Sequence, residues 1–118
     1  MAKHDFGILE QFEENKWYQE YDSEKYNCIS VDMDVMDEVF NAYREEIGEI
    51  KVFACVSTQP IQGLDEWSVN LIPPQSLESF YNIIVQANKS LHSEELVSLI
   101  DKIQEAMENK KYLIHFGI

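Results

Sequence analysis

The segment Ile50-Lys51-Val52-Phe53-Ala54-Cys55-Val56 is apolar at every position but one. Side chains alternate between the two faces of a sheet, so a strand of this composition demands apolar cover on both sides and reads as a central strand. Any fold for the chain must therefore supply two covering layers. At 118 residues there is material for one domain. The reading is an α+β core over residues 26–118 behind an irregular arm over residues 1–25.

Local patterns fill in the core. Tyr26-Asn27-Cys28-Ile29-Ser30-Val31 is short, carries β-branched residues and stops at Asp32, as a strand ending in a turn does. Val35, Met36, Val39, Phe40, Tyr43 and Ile47 then recur at helical spacing up to Gly48, predicting a helix over 34–47. Residues 57–66, with Pro60 and Gly63, read as a loop. Trp67-Ser68-Val69-Asn70-Leu71 alternates apolar with polar, predicting a strand that shows water one face. Pro73 and Pro74 end it, and Leu77, Phe80, Tyr81, Ile84 and Val85 mark a helix over 75–88.

The last helix is the plainest. Ser93 supplies an N-cap, Glu94 and Glu95 sit at its positive end, and the stripe Leu96, Leu99, Ile100, Ile103, Met107 runs down to Lys110 and Lys111. Tyr112–Phe116 is a final strand. The order β-α-β-β-α-α-β matches, apart from one helix, the split βαβ pattern of ferredoxin-like two-layer sandwiches. That predicts a four-stranded mixed or antiparallel sheet with helices on one face. The other face must be covered by the aromatic arm, with Phe12, Trp17, Tyr18 and Tyr21, or by a second copy in a homodimer.

No internal repeat is present beyond a short echo, His4-Asp5-Phe6-Gly7-Ile8 near one end and His115-Phe116-Gly117-Ile118 at the other. Too few residues match for this to be a duplicated unit.

Charge narrows the partners. The chain carries 22 acidic and 9 basic residues, net −13, and 14 of the acids lie within residues 1–50. Such an excess repels nucleic-acid phosphates and anionic lipid, so neither is an expected partner. No run approaches the roughly 20 apolar residues of a membrane span, and the first residues lack the apolar core of a secretory signal, so a cytoplasmic location is expected. Cys28 and Cys55 are too few for a disulfide framework and read as reduced, buried thiols.

One local motif carries chemistry. Cys28-Ile29-Ser30-Val31-Asp32-Met33-Asp34-Val35-Met36 delivers two aspartates from the end of a hydrophobic strand. It resembles the Asp-x-Asp signature of haloacid-dehalogenase-type phosphatases. The resemblance implies Asp32 as nucleophile and Asp34 as acid/base, with magnesium offsetting phosphate charge on a Rossmann-like core. The same residues also suit helix capping, with Asp37 and Glu38 complementing the positive helix end. With Asp37 and Glu38 they offer oxygen ligands to a hard cation, without the glycine and terminal glutamate of a calcium loop.

Other chemistries find less material. His4, His92, His115, Cys28 and Cys55 stand singly, without zinc-ligand spacing. A thiol and imidazole pair drawn from Cys28 or Cys55 with His115 would need the fold to bring them together, and Asp32 and Asp34 oppose ionisation of Cys28. With four glycines and no phosphate loop or Gly-x-Ser-x-Gly elbow, no cofactor is expected. The remaining expectation is a non-enzymatic module that binds a basic protein, of the inhibitor or immunity type. Its contact residues would be Glu13, Glu14, Trp17, Tyr18, Tyr21, Asp37, Glu38 and Glu45, acids and aromatics serving as field and anchors.

Overall fold

The computed structural model describes residues 2–117. Met1 and Ile118, the latter closing the second echo, lie outside the described residues. Among the described residues the strands are β1 (Lys3–Leu9), β2 (Ile29–Asp32), β3 (Lys51–Ala54), β4 (Pro60–Gln62), β5 (Val69–Ile72) and β6 (Tyr112–Phe116). The helices are α1 (Met33–Ala42), α2 (Arg44–Gly48), α3 (Pro74–Leu91) and α4 (Glu94–Glu108). All strands join one six-stranded sheet in the order β2-β1-β6-β5-β3-β4, and every pairing is antiparallel.

The α+β class holds, but the four-stranded ferredoxin-like arrangement gives way to six strands. One addition is β1, inside the expected irregular arm. Its sequence hides it, because Asp5 and Gly7 are poor strand formers and its polar residues find their partners only across the sheet. The other is β4, three residues beginning at Pro60, where a proline is tolerated because the strand is an edge.

Ile50–Val56 lies one place in from that edge rather than at the centre, which β6 and β5 occupy. It still needs cover on both sides. Val52 joins the helix-side core, whereas Phe53 and Cys55 pack on the opposite face. The expected 34–47 helix breaks at Tyr43, whose φ of −121° leaves the helical region, and α2 then ends at Gly48. Asp32 caps α1 by accepting from the Asp34 N–H at 2.8 Å, and Ser93 caps α4 by accepting from Leu96 at 3.3 Å. Between them His92 in the left-handed region closes α3.

One face of the sheet is sealed by helices. Phe6, Ile8, Val31, Val52, Ile72 and Leu113 meet Met36, Phe40, Leu77, Phe80, Leu99 and Ile103 in one continuous cluster. On the other face Leu9, Val69, Leu71, Ile114 and Phe116 are covered chiefly by Phe12, Tyr18, Tyr26 and Cys28, the last two belonging to an arm that runs on to residue 28 because β2 starts at Ile29 and not at Tyr26 as expected. The arm stacks Phe12 on Tyr112 with ring centroids 3.9 Å apart, and Tyr18 N–H donates to the Cys55 carbonyl at 2.8 Å. Where the arm crosses β1, a Cβ on Gly7 would lie 2.7 Å from the Cys28 sulfur and from Tyr26, so only glycine lets the layers close.

Candidate functional site

The two echoed motifs fall on neighbouring strands. β1 pairs with β6, Phe6 opposite His115, which brings His4 and His115 together on the helix-side face. Their rings stack with centroids 5.0 Å apart, and both are fully buried. On β5, Asn70 joins the same row. The expected water-facing side of this strand points instead into the core, because each polar group there has a partner.

The hydrogen bonds fix the row's polarity. Asn70 Oδ1 accepts from the Asp65 N–H at 3.0 Å, so its Nδ2 is the donor, giving protons to the Asp65 carbonyl and, at 2.8 Å, to His115 Nδ1. His115 therefore carries its proton on Nε2 and donates it to His4 Nδ1 at 2.8 Å. His4 Nε2 is left buried without a partner among the described residues. Burial holds both imidazoles below the ordinary histidine range. For His4 the carboxylates of Asp37 and Asp5 work in the opposite direction, and for His115 the neighbouring His4 adds to the depression.

That row also pins a loop. Asp65 Oδ1 accepts from the Trp67 N–H at 2.9 Å, and Gly117 N–H donates to the Ser68 carbonyl at 2.9 Å. A Cβ on Gly117 would clash with the Glu66 and Ser68 carbonyls, so the end of β6 and the loop lie in direct contact. The loop holds the Trp67 side chain 71% exposed. Tyr21, 55% exposed, meets Phe116 in a T-shaped contact with ring centroids 5.3 Å apart. Tyr21, Trp67, Phe116, Val69, Ser68 and Gln19 line a shallow cleft of about 450 Å³.

The contact residues expected from sequence divide between the two sides of the sheet. Glu13, Glu14, Trp17 and Tyr21 stand exposed on the arm. Tyr18, in the same stretch, is 4% exposed and belongs to the core, its hydroxyl accepting from the Glu13 N–H at 3.0 Å. Asp37 and Glu38 on α1 and Glu45 on α2 belong to the helical layer, across the sheet from the arm. Sequence reasoning passed over Trp67 and Phe116 by assigning them to strands. Trp67, expected to begin a strand over 67–71, lies instead in the turn before β5, which starts at Val69.

The Asp-x-Asp pair acts locally. Asp32 ends an edge strand of an antiparallel sheet and caps α1, and its own N–H donates to Glu95 at 3.0 Å. This is not the carboxyl end of a parallel sheet, where ligands of Rossmann-like folds gather. Among the described residues no three His, Cys, Asp or Glu side chains group so as to hold a metal ion. His115 has both ring nitrogens engaged on the helix side, while Cys28 and Cys55 pack on the arm side. Burial, with help from Asp5, pushes the Cys28 thiol up to about 12, so it is not a thiolate at neutral pH.

No helix among the described residues is long and apolar enough to cross a membrane. No protein family, curated protein or solved structure matches the chain.

Proposed function

We propose that the chain is a non-catalytic binding module whose arm-covered face docks a basic protein in the cytoplasm, in the manner of an inhibitor or immunity protein. The carrying observation is Trp67, held 71% exposed on a loop whose backbone is tied down by Asp65, Asn70 and Gly117. A large apolar side chain presented to solvent from an anchored backbone leaves less chain to order on association and buries much area when covered, as interface anchors do. Trp17 and Tyr21 stand exposed on the adjoining arm, among Glu13, Glu14, Glu20 and Asp22. Opposite fields then raise the rate of encounter with a cationic surface.

The test is capture from the native cell on the immobilised chain at low and high salt, beside a charge-reversed variant carrying Glu13→Lys, Glu14→Lys, Glu20→Lys and Asp22→Lys. Basic proteins are retained at low salt, weakened at high salt and lost from the variant. Acidic partners, equal retention by the variant, or no retained protein at all would overturn the reading.

A further inference from the structure

We infer that the cleft between Tyr21 and Trp67 is the seat for one arginine side chain of the partner, an inference that rests on the binding-module reading above. Three aromatic residues line it, Trp67 and Tyr21 exposed and Phe116 only 4% exposed. The Tyr21 and Phe116 rings meet at 79° with centroids 5.3 Å apart, and more than half of the Tyr21 side chain stays open to solvent. A guanidinium is planar, weakly hydrated and drawn to the negative face of such rings, Trp most of all.

The surroundings favour a cation over a neutral apolar plug. The two segments that build the walls carry Glu20 and Asp22 beside Tyr21, and Asp65 and Glu66 beside Trp67, with no basic residue from Gln19 to Asp22 or from Asp65 to Val69. Ser68, Gln19 and the Gly117 backbone add polar atoms to the lining, which suit the several N–H donors of a guanidinium. A compact ammonium ion is more strongly hydrated and fits flat walls less well.

The experiment titrates the intact chain with three short peptides differing only at one central residue, arginine, lysine or citrulline, following the Trp67 indole N–H and Tyr21 ring signals by NMR. The arginine peptide gives a saturable shift of both. The citrulline peptide, uncharged but of similar shape, binds at least fivefold more weakly. The response disappears in Trp67→Ala and in Tyr21→Ala, each first shown to keep the wild-type dispersion of the remaining amides; the second variant guards against a loop disturbed by the first.

Citrulline binding as tight as arginine, lysine binding as tight as arginine, or shifts centred elsewhere on the surface would overturn the assignment. The two readings fail separately. If a basic partner is captured equally by wild type, Trp67→Ala and Tyr21→Ala, the cleft is not its anchor although the module reading stands. If the arginine peptide seats in the cleft yet no basic protein is captured, the module reading falls and the cleft stands.

Discussion

The two faces of the sheet are both apolar, yet they are covered by different kinds of chain. Helices α1, α3 and α4 seal one with aliphatic stripes, so Phe6, Phe80, Leu99, Ile103 and Leu113 lose all contact with water. The other is covered by an arm without regular structure, held by separate aromatic contacts and single hydrogen bonds such as Phe12 on Tyr112 and Tyr18 to Cys55. A helix satisfies its own backbone and offers a continuous ridge. An irregular arm must find a partner for each polar group and leaves gaps between anchors. The cleft beside Trp67 is one such gap, so a loosely tiled face is where a surface for binding arises.

This contrast is open to measurement. The largest effect belongs to the helix-covered side: Phe80→Ala is expected to cost about 3–5 kcal/mol in urea unfolding, as emptied aromatic sites in sealed cores do. Phe12→Ala on the half-buried arm should cost about 1–2 kcal/mol, less than Phe80→Ala because the site collapses or admits water. Equal losses would mean that the arm is as integral as the helices.

Gly7→Val sharpens the comparison by attacking only the seam, since any Cβ there meets Cys28 and Tyr26 at 2.7 Å. The expected outcome is a loss of about 2 kcal/mol together with rapid proteolytic cleavage within residues 12–28, while amides of α3 and α4 keep their protection from exchange. Loss of helix protection in step with arm cleavage would show one cooperative unit instead.

Acid should act through the helix-covered side. Because folded His4 and His115 titrate below the ordinary value of 6.5, the unfolded chain takes up protons first. Their contribution is fully present above about pH 6.5 and is lost as pH falls toward the depressed folded values, by at most about 1.4 kcal/mol per pH unit for each histidine. Urea midpoints measured from pH 7.5 to 5 test this, and the slope should flatten in a His4→Gln, His115→Gln double variant. Smallest of all is Trp67→Ala, which should move stability by under about 0.5 kcal/mol, since an anchor kept for a partner contributes little to the free fold. A larger loss would make Trp67 part of the structural cover.

What was legible in the sequence follows the same division. The stripe of α4, the strand Tyr112–Phe116 and the two-faced demand of Ile50–Val56 were readable because each is decided by local periodicity. The Asn70–His115–His4 row was not, for each residue is a polar interruption until three distant segments are laid side by side. Asn70 therefore read as a water-facing residue, and Lys3–Leu9 as irregular. Composition offers two covers for the second face, the aromatic arm or a second copy, and which aromatics of the arm are inside and which outside, Tyr18 against Trp17 and Tyr21, depends on backbone turns at Asn15 and Asn27 with positive φ that no periodicity announces.

The pairing of β1 with β6 joins segments more than a hundred positions apart, His4 and His115 being separated by 111. Nearly the whole chain is thus a loop closed by one strand pair near the middle of the sheet. Closing so long a loop is entropically costly before any contact rewards it, so this pair is placed to form late, after the helices and the β3–β4 hairpin. Linking the two ends through a short turn and opening the chain elsewhere would convert the most distant pairing into a local hairpin. The same sheet would then assemble by a faster route, with the histidine row among the first contacts made.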